Sequence, residues 1–157
     1  MYFASVLLLT VVLPVISIII EAAGFPSGAV LTLLVGRWFV FWAIGVRLFI
    51  AGLRQTAQPQ FTAGEIFGIR DPASLPIVRE VGFGNLAMGF LGICSIFRAD
   101  WVVPGAIVGG LYYGLAGLGH VFKKDRNPKE RLALISDIAM FALLAWFTLR
   151  SLGPRIN

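Results

Sequence analysis

Residues 2–20 read YFASVLLLTVVLPVISIII and contain no charged side chain. The run has the length of roughly 20 apolar residues that a helix needs to cross the hydrocarbon of a bilayer. A helix on the surface of a soluble core would show a polar face, and this one is apolar all round, so it reads as a membrane span. Pro14 would kink a soluble helix, but a membrane helix tolerates proline where neighbours re-satisfy the freed carbonyl. No basic segment precedes the run and no small-residue cleavage pattern ends it, so it is expected to be retained and not removed as a leader.

Four further stretches have the same character: 30–53, 81–97, 102–122 and 132–152. Together with 2–20 they predict an all-α integral membrane helical bundle with five transmembrane helices, a four-helix core plus an N-terminal helix, in a single domain over 1–157. Composition agrees: 58% of the chain is hydrophobic and 13% charged, whereas a soluble domain carries about a quarter charged residues. The formal charge of +5 would suggest nucleic acid in a soluble protein. Here the basic residues lie between apolar runs, so they read as topology charges facing anionic lipid, and no nucleic-acid partner is expected.

The connections differ in kind. Residues 21–29 hold Gly24, Pro26, Ser27 and Gly28 and predict a short polar turn. Between Arg54 and Glu80 lie Pro59, Gly64, Gly68, Pro72 and Pro76, too many breakers for one helix. Asp71 followed by Pro72 reads as a cap and first helical position, placing the start of the third helix ahead of its apolar part. Asn127, Pro128 and Glu130 have the spacing of a capping box at the head of the fifth helix.

Orientation follows from the positive-inside rule. One side of a five-span bundle holds Arg54, Arg70, Arg79, Lys123, Lys124, Arg126, Lys129 and Arg131; the other holds Arg98, Arg150 and Arg155. The expectation is a bacterial inner (cytoplasmic) membrane protein with its N-terminus cytoplasmic and its C-terminus outside. Trp101 and Trp146 then fall at the outer interface as anchors, with Trp38 and Trp42 deeper and facing lipid or a groove. Arg37, also in the outer half, is expected to snorkel or to pair with Glu21.

Close helix packing in a membrane depends on small residues. Gly82, Asn85, Gly89 and Gly92 share a face of the third helix, and Gly109, Tyr113, Ala116 and His120 share one on the fourth. The natural expectation is that these two faces meet. The glycines lack the GxxxxGK[ST] context of a phosphate loop.

Polar side chains inside hydrocarbon are costly and tend to face the bundle interior in partnership. Traced through the topology, Arg47, Glu80, Asn85, His120, Ser136 and Asp137 all reach the cytoplasmic half, with Arg54 seven residues after Arg47 on the same helical face and Tyr113 on the face of His120. One reading is a pocket, with Asp137 orienting His120, Arg47 paired to Glu80, and Asn85 free to donate. Such a pocket would bind a quinone or polar-headed lipid, or relay protons. The other reading is an interhelical clamp built from the same groups, holding a glycine-rich bundle in register. Metal is not expected, because one histidine and two carboxylates are too few ligands. Cys94 is the only cysteine, which excludes an intramolecular disulfide, and His120 is the only histidine.

The runs AGLRQ (51–55), FTAGEIFGI (61–69), LPIVREVGFGNLAMGFLGI (75–93) and YGLAGLGH (113–120) make the whole chain similar to a family of short bacterial membrane proteins with no assigned activity. Over about Arg37 to Arg150 the chain also resembles the DoxX-like four-helix membrane proteins, through residues 45–55 and GFGNLAMG (82–89). Asn85 stands where those proteins commonly carry a glutamate. That resemblance implies an accessory subunit of an oxidoreductase complex near the quinone pool, with membrane lipid, a second copy of the chain or a larger membrane complex as partners. The leading functional expectation is therefore a binding or accessory subunit with a lipid or quinone ligand. The alternative is a membrane-embedded enzyme or proton relay using His120 and Asp137.

Overall fold

The structure, a computed structural model, describes residues 2–24 and 31–153. Most of the turn expected over 21–29 therefore lies outside the described residues. Among those described, five helices are long and apolar enough to cross a membrane: α1 (Tyr2–Gly24), α2 (Leu31–Ala57), α3 (Ser74–Cys94), α4 (Val102–Phe122) and α5 (Pro128–Leu152). Large apolar side chains cover the outside of the bundle; Ile20, Phe90 and Leu115 are 67%, 60% and 70% exposed. Water would penalise that surface and lipid does not, so the bundle is built with a bilayer as its solvent.

Two of the helices are not uniformly α. In α1 the turn over Leu8–Val12 is π-helical, directly ahead of Pro14, which has no N–H to complete an α turn. The Thr10 hydroxyl donates to the Val6 carbonyl at 2.7 Å. In α2 a longer π-helical segment covers Val40–Val46. Both indole N–H groups of α2 point at α1: Trp38 donates to Glu21 at 2.6 Å and Trp42 to the Ser17 hydroxyl at 3.0 Å. These tryptophans tie α1 to the core. Arg37 joins them through an ion pair with Glu21 at 2.7 Å.

The core lies between α2, α4 and α5, around Val40, Ile44, Tyr113, Leu144 and Phe147. α3 packs along α2 through glycines: a Cβ on Gly45 would stand 2.8 Å from the Gly92 backbone, and one on Gly52 would stand 2.7 Å from the Gly82 carbonyl oxygen. α4 packs along α5, where Gly114 and Gly117 receive Phe141 and Ile138. This corrects the expectation that the small faces of α3 and α4 meet. Gly89 faces Phe49, and Gly109 faces Ile44, both on α2. A glycine's spacing along its own helix marks a close approach without naming the partner.

The helix ends follow local chemistry. Asn127 caps α5, its side chain accepting from the Glu130 N–H while the Glu130 carboxylate accepts from the Asn127 N–H. α3 begins at Ser74, ahead of its apolar run, after a turn in which Asp71 accepts from the Ala73 N–H at 2.9 Å. The long connection forms a short cap of helical turns, Pro59–Phe61 and then Thr62–Ile66. Gly68 reverses the chain after it with φ +71°, a conformation that L side chains rarely adopt. The cap is fastened to the α4–α5 turn by Lys123 to the Phe67 carbonyl, Asn127 to the Ile66 carbonyl, both at 3.0 Å, and Lys129 to Glu65 at 2.6 Å. The hydrogen bond and charge of Lys129 hold the Glu65 carboxyl below its usual range.

Candidate functional site

Under the cap lies a cavity of about 740 Å³, walled by the start of α1, the ends of α2 and α4, Asn85 of α3, the start of α5 and the cap itself. Its polar centre begins with the π-helical segment of α2. There the Arg47 N–H bonds to the carbonyls of Trp42 and Ile44 and leaves that of Ala43 without its usual i+4 donor. The Tyr113 hydroxyl takes the Ala43 carbonyl, crossing from α4 to α2. Tyr113 is 1% exposed, so its phenol is held in one place, with the Arg47 guanidinium 5.1 Å from its ring centre.

Asp137 is buried and Arg47 partly so, with side chains 9% and 13% exposed, and they pair at 3.1 Å. The same Arg47 Nη2 also donates to the Ser136 hydroxyl at 3.1 Å. Ser136 in turn donates to the Ala133 carbonyl at 3.0 Å, fixing the hydroxyl on α5. Among the described residues, Arg47 Nη1 is buried with no hydrogen-bond partner. Asn85, 2% exposed, donates to Gln55 Oε1 at 2.7 Å, and its own Oδ1 is buried without a partner among the described residues. The cavity wall thus holds one charged donor and one amide acceptor whose hydrogen bonds are unmet, an expensive state in a low-dielectric interior.

Toward the mouth the wall becomes basic. Arg54 is exposed and stacks on the Phe61 ring of the cap, 3.6 Å from its centre. Lys123 pairs at 2.5 Å with Glu130, which is buried. His120 is partly buried on the wall, and its carbonyl accepts from Arg126.

Of the residues singled out in the sequence, Arg47, Arg54, Asn85, Tyr113, His120 and Asp137 line this one cavity. Glu80 does not. The buried side of α3 runs through Val78, Gly82, Asn85, Gly89 and Gly92, and Glu80 projects from the opposite side, exposed. Pairing therefore differs from the expected Arg47–Glu80 and His120–Asp137: Arg47 reaches across to α5 and takes the Asp137 carboxylate. Gln55, Tyr2, Tyr112 and Glu130 also line the cavity and were not singled out as site residues. Gln55 had a signal, since Arg47, Ala51 and Gln55 follow at i, i+4 and i+8 on one face of α2. Glu130 was read only as a cap.

The fold is that of a small five-span helical membrane protein with a polar-centred cavity beneath an interhelical cap. Residues 1–153 match a family of unknown function, DUF6790, and the chain belongs to that family. No curated protein and no solved structure gives a significant match to it.

Proposed function

We propose that this protein binds an amphipathic small molecule, a lipid or a quinone, within the cavity, and serves a membrane assembly as a binding or accessory component. The observation that carries this reading is the cavity of about 740 Å³ beside a buried guanidinium nitrogen with no partner. Small-molecule sites enclose roughly 300–1,000 Å³ and are mostly apolar with a few placed polar groups. An interhelical clamp made of the same residues would close on itself and leave neither space nor unmet polar atoms. The relay alternative has less support, because Asp137 is held by Arg47 and Ser136. The likeness of residues 45–55 and 82–89 to DoxX-like proteins keeps a quinone among the candidate ligands and an oxidoreductase complex among the partners. The crowding of Lys and Arg at the cavity end supports the reading that this end faces the cytoplasm, in a bacterial inner membrane.

The test is native mass spectrometry of the protein released from nanodiscs, with organic extraction of whatever it retains. A discrete adduct is expected from the parent. Ala116 lies on the cavity wall, so Ala116→Trp should remove the adduct while the thermal midpoint stays close to that of the parent. A parent that carries no adduct and takes up neither lipid nor quinone from the nanodisc would overturn the proposal.

A further inference from the structure

We infer that the ligand is acidic, a single-chain amphiphile with a carboxylate or phosphate head. This inference rests on the binding reading above and narrows it. Three cations, Arg47, Arg54 and Lys123, line the cavity against two carboxylates, Asp137 and Glu130. The carboxylates are spent on Arg47 and Lys123, and among the described residues the Arg54 guanidinium is matched by the face of Phe61 and by no carboxylate. The cavity therefore carries a surplus positive charge before His120 is considered. Arg47 Nη1, buried and unmet, is the second independent sign. A charged N–H is relieved most by an anionic acceptor, which accepts the hydrogen bond and also offsets the guanidinium charge. A quinone carbonyl would satisfy the hydrogen bond and leave the surplus charge standing.

The rest of the wall suits an acyl chain. Val6, Leu48 and Ile66 are buried apolar side chains along it. Ile50 lines the cavity and is also 51% exposed on the outside of α2, so the space reaches the lipid-facing surface there. A chain can enter there from the bilayer while its head lies between Arg47 and Arg54. Asn85 Oδ1 offers an acceptor to a hydroxyl next to the head, as in a monoacyl glycerol phosphate. One cavity of this volume holds one small molecule.

The experiment compares four probes on the purified full chain in detergent: oleate, monooleoyl lysophosphatidate, oleyl alcohol and a short-chain quinone, each competed against radiolabelled oleate and checked for stoichiometry by native mass spectrometry. The acids should bind saturably, one per chain, and oleyl alcohol about tenfold more weakly or worse. Tighter lysophosphatidate would assign a phosphate lipid; tighter oleate would assign a free fatty acid. Arg54→Gln, an exposed position, should weaken both acids about tenfold with a thermal midpoint like the parent's. Arg47→Gln should weaken them further, and Arg54→Gln keeps the test sound if Arg47→Gln folds poorly. Equal binding of alcohol and acids, or a quinone that outcompetes both acids, would overturn the acidic head and leave the cavity reading intact. If none of the four bound, both inferences would fall.

Discussion

Arg47 carries its charge in every accessible pH range, and helix α2 holds it within the membrane-spanning part of the chain. What makes that tolerable is Asp137, with the Ser136 hydroxyl and the Tyr113 ring beside it. Removing one partner of a buried pair leaves the other uncompensated, at a cost of about 3 kcal/mol or more. Replacing both with apolar groups of similar size costs far less, because two desolvation penalties vanish together. Asp137→Ala should therefore lower stability in detergent by about 3 kcal/mol. The double variant Arg47→Met with Asp137→Leu should recover most of that loss, measured by denaturant titration of tryptophan emission. Losses that simply add in the double variant would show that the two side chains are not coupled. The depth of these groups was legible in the sequence, since position along a helix counts directly into distance through a bilayer. Their pairing was not. Arg47 had two carboxylates, Glu80 and Asp137, to choose from by depth, and only the rotation of α3, which turns Glu80 outward, decides between them.

At the scale of the helices, close approach is concentrated where α2 meets α3. A Cβ on Gly92 would lie 2.6 Å from the Gly45 Cα, backbone against backbone, so neither helix can yield without opening the pair. Gly84 on the same helix has nothing within 4 Å of such a Cβ. Gly92→Ala should destabilise the bundle by about 2 kcal/mol, and Gly84→Ala should be neutral or stabilising by up to ~1 kcal/mol through helix propensity. Denaturant titration of the two variants checks the contrast, and equal behaviour would mean that α3 meets lipid along both faces. The sequence marked α3 as a packing helix by its glycines, yet pointed them at α4. Glycine faces are alike whichever neighbour they meet. The capping box of α5 was read correctly because all of its chemistry lies within four consecutive residues. The cap over residues 59–66 was legible only as a broken connection, since its shape depends on bonds to Lys123, Asn127 and Lys129 far along the chain.

For the molecule as a whole, the number of spans was written in hydropathy, while the cavity was only one of two readings, pocket or clamp, because empty space has no residue of its own. What the sequence did hold was the crowding of polar groups and of Lys and Arg at one end, and the cavity lies at that end. Topology therefore decides which compartment the mouth faces. The cavity end carries the 59–66 cap and the α4–α5 turn, with Arg54, Lys123, Lys124 and Arg126 near it; the opposite α3–α4 turn carries Arg98, itself paired to Asp100 at 3.0 Å. Translocating the first set across a membrane is disfavoured, which predicts that it stays in the cytoplasm. Single-cysteine labelling in intact cells reads this directly. In a Cys94→Ser background, Ala99→Cys, exposed in the α3–α4 turn, should react with a membrane-impermeant maleimide from outside. Gly64→Cys, exposed on the cap with open space around it, should react only after the cells are permeabilised. Reaction of both from outside would contradict an odd number of crossings between the cap and the α3–α4 turn. The reverse pattern would turn the basic mouth outward, where the ligand would have to come from the outer leaflet, and would break the link between charge asymmetry and orientation on which the cytoplasmic assignment depends.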